Sequence, residues 1–226
     1  SSGALRQLEL SGLEVTPYPY QEEMLEALRS EREIKDRHRN LLVAATGTGK
    51  TVVAALDYRN LCEQWKRRPR LLFVAHRKEI LHQARRTFRE VLKDADFGEL
   101  LVDGAEPHRW DFVFASVQSL SASRLEKLDP KRFDVVIIDE FHHAQAPTYN
   151  TLLDHFQPRE LLGLTATPER GDGENIQKYF DYRVAHELRL WDALRLQLLV
   201  PMHYYGIADG TDLSSLTWIR GKKDYN

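Results

Sequence analysis

Five short runs set the tightest limit on what this chain can fold into: LLVAA (41–45), LLFVA (71–75), DFVFAS (111–116), DVVIID (134–139) and LLGLTA (161–166). Each is apolar at nearly every position rather than at alternate ones, the pattern of a strand covered on both faces. Helical patterns lie between them. One runs from Lys50 to about Trp65, and another along 78–93, where Ile80, Ala84, Phe88 and Val91 recur at helical spacing. Strand and helix in alternation predict an α/β fold with a mostly parallel, doubly wound sheet and helices on both faces. In such sheets ligands gather beyond the carboxyl ends of the strands. Chemistry is therefore expected after Ala45, Ala75, Ser116, Asp139 and Thr165.

The chain has 226 residues, enough for one substantial core or two small ones. With 32 Lys+Arg against 34 Asp+Glu, a wholly basic nucleic-acid coat is excluded, and any such contact must be local. The basic runs REIKDRHR (32–39) and WKRRPR (65–70) read as solvated loop or helix-end surface. The opening SSGALRQLEL lacks a basic region followed by an apolar one, so it is not a secretory signal. No apolar run approaches the roughly 20 residues that cross a bilayer, so no membrane partner is expected. One cysteine, Cys62, rules out an internal disulfide framework and fits a reducing, cytoplasmic setting. Cys62 itself reads as a buried helix residue, since no activating partner can be placed beside it.

The segment after the first strand is AATGTGKT, Ala44 to Thr51, and it opens a helix. Gly47 and Gly49 let the backbone N–H groups of Thr46 to Gly49 converge on phosphate oxygens, and the helix N-terminus adds partial positive charge. Lys50 reaches β- and γ-phosphates in such a loop, and the Thr51 hydroxyl coordinates Mg²⁺. The usual pattern begins with glycine; here the small Ala44 takes that place. The bland alternative is a glycine-rich strand–helix turn with an exposed lysine. Strand placement favours the phosphate loop.

A phosphate loop needs an acid to complete its metal site. Asp139, closing the run FDVVIID, is expected to hold Mg²⁺ directly or through water, and Glu140 to polarise the attacking water. A transition-metal cluster would need the spacing of a zinc site, which DEFHH does not have. His142 and His143 are adjacent and point in different directions, and His142 is the one expected to face the nucleotide.

Six motifs now stand in series: YQ at Tyr20-Gln21, ATGTGKT at 45–51, VAHRKEILHQA at 74–84, SVQSL at 116–120, DEFH at 139–142 and LTATPER at 164–170. Together they resemble superfamily-two helicases and translocases of the DExH type. The nearest branch is that of type III restriction-enzyme motor subunits and DNA-repair helicases. The likeness covers roughly residues 17 to 205 and is to the first of two RecA-like motor lobes. It implies an ATP- and Mg²⁺-dependent, nucleic-acid-stimulated ATPase acting on DNA more than RNA. It also implies that Gln21 recognises adenine; the bland alternative is a polar residue at the start of the helix QEEMLEALRS. The family often has Arg two residues before the Tyr, whereas this chain has Tyr18, a ring able to stack on the base. His76, Arg77, Ser116, Gln118 and Ser119 are implied as nucleic-acid contacts, with Arg77 on the backbone. The bland reading of the serines is helix capping. Thr165, Ala166 and Thr167 are implied to couple the nucleotide to strand movement through the neighbouring acidic segment.

Such motors work between two lobes, and a finger arginine from the second raises rates by roughly 10³–10⁵-fold in related systems. The expected organisation is a leader or end of a preceding domain (1–16), the ATP-binding lobe (17–205), and the start of a connection to the second lobe (206–226). The lobe alone is expected to bind nucleotide but hydrolyse it poorly. Two other readings stay open: the motor of an ATP-dependent restriction endonuclease, and a nucleotide-dependent switch or scaffold that does not translocate.

Overall fold

The computed structural model describes residues 14–139, 146–166, 178–181, 183–188, 217–219 and 222–224. Its centre is a seven-stranded sheet in the order β3-β4-β2-β5-β6-β1-β7. The strands are β1 (Arg39–Ala44), β2 (Leu71–Ala75), β3 (Glu99–Leu101), β4 (Phe112–Ser116), β5 (Val135–Ile138), β6 (Glu160–Thr165) and β7 (His186–Leu188). Every pairing within it is parallel. A separate antiparallel pair joins β8 (Thr217–Ile219) to β9 (Lys222–Asp224). The five strands expected from sequence are present, with ends shifted by one or two residues. The runs in β2, β5 and β6 are buried at every position, as strands covered on both faces must be.

Helices α1 (Pro19–Glu33), α2 (Lys50–Gln64) and α3 (Lys78–Leu92) pack on one face, with Met24, Leu28, Leu56, Tyr58 and Phe88 in a single apolar cluster. The short α4 (Ala122–Leu125) and α5 (Ala146–His155) serve the other face, where Leu125, Tyr149, Leu152 and Phe156 cover Leu72, Val74, Val136 and Ile138. Helix α1 starts with Pro19 at its first position, where the missing N–H costs nothing. In α3 the buried stripe is Leu81, Ala84, Phe88 and Val91; Ile80, expected in it, is only partly buried. Cys62 lies on α2, half-buried rather than buried. Burial pushes its thiol pKa up, away from what a nucleophile needs. Among the described residues no helix is long and apolar enough to cross a membrane.

The run REIKDRHR corrects the sequence expectation of solvated surface. Arg32, with a side chain only 8% exposed, donates to Asp57 through both terminal nitrogens (2.6 and 2.7 Å) and to Glu160 through Nε (2.9 Å). Glu160 also meets His38 Nδ1 at 2.7 Å, and His38 Nε2 meets Asp36 at 3.1 Å. This network ties α1, α2 and the amino ends of β1 and β6. Sequence missed it because its members are spread from Arg32 to Glu160, and a charge run carries no sign of burial. WKRRPR behaves as expected: Lys66, Arg67 and Arg68 are exposed, with Arg67 paired to Asp134 and Arg68 to Asp94.

His38 gives the network a pH signature. Burial lowers its pKa, but hydrogen bonds to Glu160 and Asp36 outweigh that, and the net shift is upward. A histidine raised above its unfolded value contributes fully below about pH 6.5, and the contribution fades as pH rises through the folded pKa. In urea titrations the deficit of His38→Gln against wild type should therefore be larger at pH 6 than at pH 8.5. Partial exposure keeps it under about 1 kcal/mol. A deficit that grows with pH would contradict the pairing.

Candidate functional site

The carboxyl ends of β1, β6, β5, β2 and β4 line one edge of the sheet, and nearly every residue singled out from sequence that the structure describes lies along it. Register places Val43 opposite Thr165, Gly163 opposite Ile138, Ile138 opposite Val74, and Ala75 opposite Ser116. Glu140, His142 and Thr167 lie outside the described residues.

The loop between β1 and α2 turns through two glycines at positive φ, Gly47 (86°) and Gly49 (78°). At Gly49 any side chain is barred twice. The left-handed conformation disfavours it, and an added Cβ would stand 2.6 Å from Gln21 Nε2. Thr46 and Gly47 are exposed at the tip, whereas Thr48 is 1% exposed. Thr48 donates its hydroxyl to the Ala45 carbonyl at 2.8 Å and its N–H to the same oxygen at 3.3 Å. Its side chain therefore shapes the loop from inside. Lys50 Nζ donates to the carbonyls of Ala44 (2.7 Å) and Ala45 (3.2 Å), so the ammonium sits over the loop it follows. Thr51 is half-buried on the first turn of α2.

Helix α1 braces this loop from the side. Tyr20 donates its hydroxyl to the Thr48 carbonyl at 3.0 Å, and Gln21 Nε2 donates to the same oxygen at 3.3 Å. Gln21 Oε1 accepts from the Tyr18 N–H at 3.0 Å, the reach-back half of a capping box. Of the two readings of Gln21 from sequence, the helix-start one is what these bonds show, and the same amide also donates to the phosphate loop. Tyr20 was legible only as half of a dipeptide; its bond spans 28 residues and has no local signal.

Asp139 follows β5, 5% exposed, with its N–H bonded to the Val74 carbonyl at 2.9 Å. Strand β6 lies between β5 and β1, so Asp139 and the loop are two strand spacings apart, about 10 Å at the backbone. Thr165, 3% exposed, closes the intervening strand, and Ala166 follows it half-buried. The coupling segment thus begins between the loop and the acid. A hydroxyl at Thr51 and a carboxylate at Asp139 are hard oxygen donors, the type that suits Mg²⁺.

Further along the edge, His76, Arg77, Ser116, Gln118 and Ser119 line one groove of about 540 Å³, closed on a third side by Val102, Asp103 and Gly104. All five residues expected there from sequence are brought together. His76 Nε2 accepts from Arg77 Nε at 3.1 Å, which leaves the proton of a neutral ring on Nδ1. Ser116 Oγ accepts from the Ser119 N–H at 3.2 Å and lies 2.7 Å from Ser119 Oγ, so the serines do cap a single 3₁₀ turn, Val117–Ser119. Lys78, paired with Asp103 at 3.1 Å, adds a cation at the mouth. The Asp103 turn escaped sequence reading because β3 is three residues long, too short for a periodic signal.

Residues 14–170 match the family model described as "Type III restriction enzyme, res subunit". A Schizosaccharomyces pombe protein named as a mitochondrial ATP-dependent helicase, irc3, is 32% identical over 205 residues, covering 86% of this chain and 33% of its own length. The type I restriction enzyme EcoAI endonuclease subunit of Escherichia coli is 26% identical over 199 residues, covering 84% of this chain and 24% of its own. The chain thus spans about a third or less of these relatives. Among solved structures, a nuclease-deletion mutant of the type ISP restriction-modification enzyme LlaGI, in complex with a DNA substrate mimic, shares the fold. Its TM-score is 0.61 at 18% identity, over 81% of this chain and 21% of that one. The parallel sheet, the phosphate loop at its edge and the match to most of the chain lead to one conclusion: this protein belongs to the type III restriction enzyme res-subunit family, with the fold of a superfamily-two RecA-like lobe.

Proposed function

We propose that this lobe binds ATP with Mg²⁺ and powers movement of a larger protein along nucleic acid, DNA in preference to RNA. One observation carries the reading: phosphate loop, Asp139 and groove share a single edge of one sheet. Lys50 and the N–H groups of the loop would hold the triphosphate. Thr51 and Asp139 would hold the Mg²⁺, which when bound neutralises charge on the β- and γ-phosphates. Glu140 and His142 follow Asp139 directly in the chain, and we assign them to the attacking water and the γ-phosphate end. Thr165, which ends the strand between loop and acid, with Ala166 and Thr167 next in the chain, would report the state of that end to the groove. Arg77, at the start of α3, would grip a backbone phosphate, with Gln118 and the serines as neutral partners. A second RecA-like lobe, which we place beyond residue 205, would supply the finger arginine. The ATP-dependent helicase name of irc3 and the DNA bound to LlaGI support this reading. The similarity to the EcoAI subunit favours a second one, the motor of a restriction endonuclease; DNA cleavage by the full-length protein would separate the two.

The test is ATP hydrolysis by the full-length protein with single-stranded DNA, duplex DNA, RNA or no polymer. Stimulation by DNA is expected, and a rate indifferent to every polymer would favour the switch. In the same assay Arg77→Ala should weaken stimulation while nucleotide affinity stays within about twofold. Equal loss of both would remove Arg77 from the track.

A further inference from the structure

We propose that one flank of α3 is a second nucleic-acid contact, a phosphate track that leads a DNA duplex away from the groove along the edge of the sheet. The inference rests on the nucleic-acid reading of the groove above and extends it to a surface outside it. Lys78, His82, Arg85, Arg86 and Arg89 occupy positions i, i+4, i+7, i+8 and i+11 of the helix, which places them in one stripe beside the buried line of Leu81, Ala84, Phe88 and Val91. The two acids of the helix, Glu79 and Glu90, fall outside the stripe, one toward each end. Lys78 also lines the groove, so the stripe begins where the groove ends.

The charge of this flank is held in place without being cancelled. Arg89 donates through Nε to the Phe97 carbonyl at 2.7 Å and through a terminal nitrogen to the Gly98 carbonyl at 3.1 Å. Neutral carbonyls thus fix its guanidinium just before the edge strand β3. Arg85, half-buried one turn earlier, lays its stem over Gly98, where a Cβ would come within 3.4 Å of Arg85 Cγ. Among the described residues neither Arg85 nor the exposed Arg86 has a carboxylate partner. Burial and the Arg89 charge push the Arg85 pKa down, the strain of a cation that lacks its counter-charge. The acids nearby are engaged: Asp94 with Arg68, Glu99 with the N–H groups of His108 and Arg109, and Asp103 with Lys78. The last pair is exposed on both sides, worth little, and open to displacement by a phosphate.

From Lys78 to Arg89 the stripe runs about 17 Å, the rise of about five nucleotides along one strand of a duplex. No aromatic ring is exposed on it, because Phe88, the one aromatic residue of α3, is buried. Sites for single strands combine cations with rings on which bases stack, whereas a duplex covers its bases and offers phosphates. Cations without rings suit the duplex.

Fluorescence anisotropy of the full-length protein across a salt series tests this, with a labelled duplex of about 30 base pairs, a single strand of about six nucleotides, and polyglutamate. Arg85→Gln with Arg86→Gln should weaken duplex binding about tenfold or more and reduce the slope of log affinity against log salt by about 2, while affinity for the short strand stays within about twofold. Arg86→Gln alone alters only an exposed side chain and should reduce the slope by about 1, and Arg86→Lys should keep it. Duplex affinity and slope unmoved by the double variant would overturn the track, and the groove reading would stand if Arg77→Ala still weakened the short strand. Loss of polyglutamate binding with duplex binding intact would overturn it in favour of an acidic protein segment. A wild-type protein that binds neither DNA would remove the groove reading, and the track with it.

Discussion

Arg32→Ala is expected to cost about 3–5 kcal/mol of folding stability in a urea titration near neutral pH. The guanidinium is the cation shared by Asp57, 5% exposed, and Glu160, 3% exposed, and it meets both at hydrogen-bond distance. The carboxylates raise its pKa against the cost of burial. Glu160 shows how expensive the arrangement is: burial pushes its pKa up more than Arg32 and His38 pull it down. Alanine would leave two buried carboxylates with only the partly exposed His38 beside one of them. Glu160, already raised by burial, cannot stay ionised cheaply without Arg32, so the deficit should narrow as pH falls and its carboxyl protonates. Arg32→Met with Asp57→Leu and Glu160→Met should recover much of the loss, because apolar side chains of similar size leave no buried charge without its partner. A loss below about 1 kcal/mol for Arg32→Ala would class the network with ordinary surface pairs.

Lys50→Ala is expected to lower ATP hydrolysis by the full-length protein about 10²–10³-fold, the usual scale for removing one donor aimed at developing charge. The lobe should stay folded, since the variant gives up only two hydrogen bonds to backbone carbonyls, about 1 kcal/mol each. Lys50→Arg should not rescue it. A planar guanidinium cannot set one compact charge over both the Ala44 and Ala45 carbonyls. Hydrolysis within a few-fold of wild type would detach the loop from the chemistry. Together the two variants separate the ends of the sheet: Arg32 acts at the amino edge on stability, Lys50 at the carboxyl edge on turnover.

How far the chain was legible depended on the range of each signal. The strands β1, β2, β4, β5 and β6, the helices α2 and α3, and the glycine loop are written in consecutive residues, because burial on both faces, helical spacing and a left-handed turn are local demands. The edge strands β3 and β7, three residues each, exist because a neighbour offers them a ladder, and nothing in ELL or HEL announces that.

The sequence by itself determined the parallel α/β lobe, the phosphate loop and the residue types available to it, since each follows from the order of neighbours along the chain. Only the tertiary structure decided that Gln21 and Tyr20 both bind the Thr48 carbonyl, and that five residues from two segments share one groove. It alone showed that Arg32 is buried between Asp57 and Glu160. The physical reason is the same in each case. A hydrogen bond or ion pair takes its strength from the distance and dielectric between two groups, and neither quantity is set by their separation along the chain.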